Sequence, residues 1–388
     1  RHCPCRVVPA RSNLRTNSLR GAQSAAQTAR KARKNMEKVK VAVIGTGNIS
    51  NNHIQSYLNN PNAELVALCD IDADRVKMMG EKYGVKRLFT DEAEMFREMP
   101  EIDAVSVCAW NSAHAPCAIA ALEAGKHVLC EKPMALSAAQ AVEMEEAAKK
   151  AGKLLMVGFV RRFEKGSALL RDLVQQDFFG ELYYAKATYL RRNGNPGGWF
   201  GDKSRSGGGP LIDLGVHVID LTRYLMGNPN PVSVYGATFQ KLFNRPGIRT
   251  TKAYRSVSAG GRDVCDVEDL ASAMIRFDNG AVLQVEAAFS LNLKQDTGSV
   301  QLFGTKGGAK LSPELELYSD MNGYMTDITP VCPPESFTEE FQSEINHFVD
   351  CVRTGEPCRA PASDGVQIMR ILDAVYESAR TGHEVLLG

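Results

Sequence analysis

From residue 36 to about 160 the chain alternates short, unbroken apolar runs with longer stretches whose apolar residues recur every three or four positions. Unbroken runs belong to strands buried on both faces, and the longer period belongs to helices that bury one side. The pattern predicts strands at 39–44, 64–69, 86–89, 103–108, 127–130 and 154–158. Helices are predicted between them at 48–59, 72–83, 91–98, 113–124 and 137–150. Such alternation folds as a doubly wound parallel sheet with right-handed crossovers. After about 160 the rhythm changes. A helix at 163–176 and a long strand at 181–191 lead into a Gly-rich loop, 193–210, and a helix at 211–226. Alternating strands near 231–239, 269–277, 281–290, 298–303 and 309–318 follow, and helices at about 337–353 and 363–381 close the chain. The Gly/Arg-rich connection 244–263 reads as a mobile loop. The expected class is therefore an α/β domain over 36–160, then an α+β domain over 161–388 with a large, mostly antiparallel open sheet. A ligand crevice is expected at the carboxyl ends of the parallel strands.

Composition changes this picture at one end. Residues 1–35 carry nine Lys or Arg and no acid, leaving the remainder with 37 basic against 45 acidic residues. That segment is poor in apolar residues and is expected to be disordered and outside the fold. Met36 opens MEKVKVAVIG like a natural start, so the segment reads as a vector leader or an overcalled start codon. An organelle transit peptide and a genuine basic arm are the other readings. The mildly acidic body argues against a nucleic-acid surface. No apolar run approaches the length of a membrane span. Cys69, Cys108 and Cys130 end apolar strands and Cys117 lies in a helix, as buried free thiols do, and no Cys/His spacing suits zinc. The pattern suits a reducing, cytoplasmic setting, and no metal is expected.

Candidate chemistry begins at VKVAVIGTGNIS, 39–50. A strand ends in Gly45-Thr46-Gly47-Asn48-Ile49 and a helix follows, which is how a pyrophosphate is presented to a helix N-terminus. Gly45 permits the turn, and Gly47, lacking a Cβ, lets the backbone approach the phosphates. Ser50 holds the third fingerprint position in place of Gly or Ala. The next strand ends in Asp70, whose carboxylate can accept hydrogen bonds from an adenosine ribose and would repel a 2′-phosphate. The cofactor expected is NAD, with NADP left open.

A second constellation, HVLCEKP (127–133), brings Glu131 and Lys132 to the carboxyl edge of the sheet. There a lysine can hydrogen-bond a reacting oxygen; a solvated strand-end lysine is the plainer reading. The third is GGGPLIDLGVHVID (207–220), where Asp213, His217 and Asp220 fall on one helical face. A neutral histidine near its pKa suits removal of a hydroxyl proton; a core histidine satisfied by Asp213 or Asp220 is the alternative. Arg161 and Arg162 are expected to reach the crevice, as are Asn193, Asn195, Trp199, Asp202, Lys203 and Arg205 of the Gly-rich loop.

With these residues in view, the chain from Met36 onward resembles the glucose–fructose oxidoreductase/inositol dehydrogenase/rhizopine-catabolism family of oxidoreductases. The resemblance rests on VAVIGTGNIS, Asp70, CAWNSAHA (108–115), Glu131-Lys132-Pro133 and GGGPLIDLGVHVID. It implies an NAD-binding domain of the Rossmann type, with Gly45, Thr46, Gly47, Asn48 and Ile49 on the pyrophosphate and Asp70 on the adenosine ribose. It places Asn111 and His114 along the nicotinamide half, and Glu131 and Lys132 near the nicotinamide ribose and substrate. Asp213 and His217 match the substrate-binding and acid/base positions. Ala109-Trp110 stands where the family often has Thr-Pro, so Trp110 is expected to crowd or stack in the pocket. The implied activity is hydride transfer between nicotinamide and a secondary alcohol of a sugar, polyol or inositol-like substrate, in a homodimer or homotetramer. An NAD-assisted glycosidase working through a transient keto-sugar is the second reading, and a non-catalytic dinucleotide-binding sensor the third.

Overall fold

The apolar runs of the first half become six strands in a computed structural model that describes residues 38–242, 255–256, 258–259, 264–333 and 335–388. The basic leader, and all of the 244–263 connection but a few residues, lie outside the described residues. The strands are β1 (Val39–Ile44), β2 (Ala63–Cys69), β3 (Arg87–Phe89), β4 (Ala104–Val107), β5 (His127–Glu131) and β6 (Leu155–Gly158). All pair in parallel, in the order β3-β2-β1-β4-β5-β6. The order reverses between β1 and β4, and a crevice outside the strand ends opens at such a reversal. Five helices link the strands: α1 (Ser50–Asn59), α2 (Ala73–Tyr83), α3 (Glu92–Glu98), α4 (Asn111–Glu123) and α5 (Ala138–Ala151). Side chains of Asp72, Asp91 and Ser137 accept the orphan amides that open α2, α3 and α5. No side chain does so for α1.

In the second half α6 (Lys165–Gln175) precedes β7 (Leu182–Leu190), and α7 (Val216–Leu225) precedes β8 (Pro231–Phe239), β9 (Leu270–Phe277), β10 (Val282–Ala288) and β11 (Thr297–Gly304). Then come β12 (Gly307–Leu311), β13 (Glu316–Met321), β14 (Tyr324–Ile328), α8 (Phe337–Thr354), α9 (Ala362–Thr381) and β15 (Val385–Leu386). The nine strands lie in the order β14-β13-β12-β11-β7-β10-β9-β8-β15, antiparallel except where β10 meets β7. One face buries Ala185, Ala187, Leu283, Val285 and Ile275, and α7 and α9 pack on this sheet. The chain then returns to the first layer: α8 packs on α1, and Val157 of β6 donates its N–H to the Ala360 carbonyl.

Two expectations are corrected. The single strand at 309–318 is two, β12 and β13, parted at Ser312-Pro313. Ser312 there adopts φ +74°, and Pro313 has no N–H to give a ladder. The helix expected over 211–226 opens as a π turn, Leu211–Gly215, before α7 begins. β14 and β15 had no warning, because YMTDI does not alternate and VL is too short to carry a period. Cys69, Cys108, Cys117 and Cys130 are buried free thiols, as expected.

Candidate active site

The carboxyl ends of β1, β2, β4 and β5 and the segment after β6 share one cavity of about 690 Å³. Gly45, Gly47, Asn48, Ile49 and Asp70 line one part of it, and Lys132, Arg161, Tyr189, Arg191, Asp213 and His217 another.

The cofactor half follows from local chemistry. Gly45 turns the chain at φ +86°, and a Cβ there would stand 2.6 Å from the Ala109 nitrogen, so only glycine closes this turn. A Cβ added to Gly47 would meet nothing within 4 Å, so the backbone there is open to a ligand. Because no side chain caps α1, its first-turn amides and its dipole suit an outside anion. Asp70 faces the cavity, and its Oδ2 also accepts from the Thr46 amide at 2.6 Å and hydroxyl at 2.7 Å. Thr46 is thereby turned inward and buried. It braces the loop against β2 rather than lining the cavity with its neighbours. Loop, helix terminus and strand-end carboxylate together fit the diphosphate and adenosine ribose of a dinucleotide.

Asn111 and His114 line the cavity, and both also hold the walls in place. Asn111 Nδ2 donates to the Ser206 carbonyl at 2.8 Å. His114 is buried, with Nδ1 2.7 Å from the Pro133 carbonyl and Nε2 3.2 Å from that of Ala109. Its ring therefore sits between the strand-end loops after β4 and β5, and in its neutral form it donates to one of these two carbonyls. Burial leads the influences that lower its pKa, which keeps the ring neutral.

At the chemical end, Lys132 Nζ donates to Asp213 Oδ1 at 3.0 Å and to the Asp213 carbonyl at 3.1 Å. Its neighbour Glu131 is buried and takes His53 Nε2 at 2.8 Å and the Lys132 amide at 3.1 Å. Burial alone would raise the Glu131 carboxyl. The bond and charge of His53, then the Lys132 charge, outweigh it and leave the pKa lowered. His217 has the opposite balance. Burial first, then the charges of Lys132, Arg161 and Arg191, hold its pKa well below the usual value, and its buried Nδ1 has no hydrogen-bond partner. The site thus sets a neutral base beside a fixed ammonium.

The turn that carries Asp213 is built for close approach. Glu268 accepts the amides of Gly209 at 2.9 Å and Leu211 at 3.1 Å, and a Cβ on Gly209 would stand 2.1 Å from the Glu268 carbonyl. Asp213 in this π turn and His217 in the first turn of α7 both reach the cavity, and such turns recur at functional sites.

Three expected placements change. Asp213 holds Lys132 and makes no bond to His217. Asp220 is turned into the core, where both its oxygens accept from Arg162, and Arg162 itself is 1% exposed and absent from the cavity. Of the six Gly-rich loop residues, only Trp199 lines the cavity. Asp202 instead caps the one-turn helix Lys203–Ser206, and Arg205 stacks 4.5 Å over the Trp110 ring, which does line it. Arg161 lines it too, paired with Glu164 at 2.6 Å. Sequence reasoning missed His53, Arg191 and Glu268. His53 sits with Ser50, Ile54 and Tyr57 on the buried stripe of α1, a spacing that flags a histidine in use. Glu268 lies in an acidic run with no periodic signal.

Comparison with known proteins agrees with this fold and with a dinucleotide-binding first domain. Residues 39–159 match the model of an oxidoreductase family's NAD-binding Rossmann fold, and 171–387 match that family's C-terminal alpha/beta domain. A D-glucoside 3-dehydrogenase of Escherichia coli (strain K12) is 36% identical over 355 residues, covering 90% of this chain and 97% of the relative. A myo-inositol 2-dehydrogenase of Thermotoga maritima is 27% identical, covering 90% of this chain and 98% of its own. A solved levoglucosan dehydrogenase in complex with NADH superposes with a TM-score of 0.80 at 25% identity, covering 91% of this chain and all of that one.

Proposed function

From the premise that the chain belongs to the glucose–fructose oxidoreductase/inositol dehydrogenase/rhizopine-catabolism family, we propose that Lys132 and His217 handle the hydroxyl proton of its carbohydrate substrate. As a member of that family the chain is an NAD-dependent dehydrogenase acting on CH–OH groups. The substrate proposed is a sugar, glycoside, polyol or inositol-like ring with a secondary alcohol. One observation carries the reading: neutral His217 and the Lys132–Asp213 ion pair face the cavity whose other part is the glycine loop.

When bound, NAD supplies the hydride acceptor. Gly45, Gly47, Asn48, Ile49 and Asp70 would hold its adenosine and diphosphate part, with Asn111, His114 and Glu131 along the nicotinamide part. The chain's residues do the rest by position and charge. Lys132, its ammonium fixed by Asp213, donates a hydrogen bond to the alcohol oxygen and stabilises negative charge growing there. His217, neutral and facing the same space, takes the hydroxyl proton. In the reverse direction it returns that proton to the oxygen. Trp110, Trp199 and Tyr189 offer aromatic faces to a sugar ring.

The test is NADH absorbance with NAD and a panel of free sugars, glucosides, inositols and sugar acids. Turnover on at least one class is expected. Silence across the panel, with NAD bound and a leaving group released from a glycoside, would overturn the dehydrogenase reading in favour of the keto-sugar glycosidase.

Assembly is proposed from the same sheet. On the face opposite α7 and α9, Tyr235 and Met274 stand directly across from one another, each about half exposed. Apolar groups laid out this way on an open sheet suit a second copy. Light scattering is expected to give two or four times the chain mass, and a monomer would remove the proposal.

A further inference from the structure

Away from the active site, the fold assembles a cluster that sequence spacing did not announce. His347 and Cys351 lie one turn apart near the end of α8, and Cys358 follows in the connection to α9. The imidazole nitrogen and the two sulfurs lie within 4.8 Å of one another, and Cys351 Sγ is 3.4 Å from His347 Nε2. Cys351 is buried, whereas Cys358 is only half-buried.

From this arrangement we propose that Cys358 and Cys351 form a reversible dithiol site for hydroperoxides, with Cys358 as the attacking sulfur and Cys351 as the resolving one. Cys358, the less buried of the two residues, is the one a small oxidant reaches first. The buried sulfur stands within bonding reach once a leaving group is present. The charge states agree with the geometry. The hydrogen bond from the Cys351 thiol, joined by His347 and the Ala360 amide, outweighs burial and holds the Cys358 thiol below its ordinary range. The same contact keeps the proton on Cys351.

The chemistry balances. The Cys358 thiolate attacks the terminal, OH-bearing oxygen of a hydroperoxide, the O–O bond breaks, and the leaving hydroxide or alkoxide takes a proton from solvent. Sulfur is oxidised to a sulfenic acid and the peroxide is reduced. The Cys351 thiol then attacks that sulfur, and its proton departs with the displaced hydroxide as water. A zinc site is the rival use of these atoms, and the geometry disfavours it. Arg359 donates its N–H to His347 Nε2 at 2.9 Å, and Nδ1 lies 3.4 Å from a Glu356 oxygen, so both ring nitrogens are engaged. Two sulfurs alone fall short of the four donors of a structural zinc site.

The experiment treats the whole protein with one equivalent of hydrogen peroxide, blocks remaining thiols with N-ethylmaleimide in denaturant, and maps the peptides. Expected is a Cys351–Cys358 link, reversed by dithiothreitol. It should form at least about tenfold faster than oxidation of Cys265, whose thiol burial pushes up to about 12, or of Cys332. Cys351→Ser should stop at a sulfenic acid on Cys358 that dimedone traps, and Cys358→Ser should abolish the reaction with NADH turnover unchanged. Oxidation of the pair no faster than that of Cys265 and Cys332 would overturn the proposal. So would one equivalent of zinc retained by the wild-type protein and lost in both variants.

Discussion

His217→Ala is expected to lower kcat by roughly 10²- to 10⁴-fold, the usual worth of a positioned general base, with NAD affinity unchanged because the imidazole lies apart from the glycine loop. A histidine taken out of water favours its neutral form, and the cations Lys132, Arg161 and Arg191 push the same way. The base form therefore survives to lower pH than a free imidazole, which titrates near about 6.5. The acid limb of kcat/KM should accordingly lie below that value. Lys132→Met removes the charge that acts most strongly on His217 while burial stays, so its residual activity should show an acid limb moved upward. A stability consequence follows with a defined sign. Below about 6.5 the unfolded chain binds a proton at His217 that the folded chain refuses, so this residue makes stability fall as pH drops through that region. Steady-state rates across pH for the wild type and both variants provide the check. Wild-type turnover in His217→Ala would remove the base, and an acid limb left in place by Lys132→Met would remove the electrostatic coupling.

How much of this was legible beforehand depends on how local each signal is. The strand-end glycines, Asp70 and the Glu131-Lys132 pair could be placed because a parallel sheet delivers every strand end to one edge, whatever the tertiary detail. Asp213 and His217 could be placed on one helical face by their spacing, and at the site by the resemblance that GGGPLIDLGVHVID carries. What could not be read were choices made across the chain. Whether Asp213 turns to His217 or to Lys132 is decided by a strand end 81 residues away. Thr46 looked like a phosphate contact, yet Asp70 collects both its donors because the loop and the end of β2 lie side by side. The π turn also lay beyond reach, since the period of 3.6 assumed for 211–226 put Asp220 on the same face as its neighbours. The triad of His347, Cys351 and Cys358 needed the bend after α8 to exist at all.

The misplaced pair of Arg162 and Asp220 leads to the second large effect. Arg162→Met is expected to destabilise the fold by about 3–5 kcal/mol, the cost of leaving buried charges without their partner. Arg162 gives Nε and Nη2 to Asp220 at 2.9 and 2.6 Å and Nη1 to Asp364 at 2.8 Å, all inside the core. Asp364 keeps Arg223 at 2.9 Å, so most of the loss falls on Asp220, whose hydrogen bonds among the described residues all come from Arg162. Burial already raises the Asp220 carboxyl against the pull of Arg162, and without that guanidinium the pKa must climb further. A raised folded pKa contributes stability below the unfolded value and loses it as pH rises, so the deficit of Arg162→Met should be larger at pH 7 than at pH 5. Adding Asp220→Asn should recover part of it, because a neutral amide no longer needs a buried cation. Urea unfolding of the three proteins at both pH values decides the matter: a loss under about 1 kcal/mol would mean that water reaches the cluster and the charges were never fully desolvated. The effect would not stop at stability, because Arg162 adjoins Arg161 on the turn after β6, and that turn forms one wall of the cavity in which His217 works.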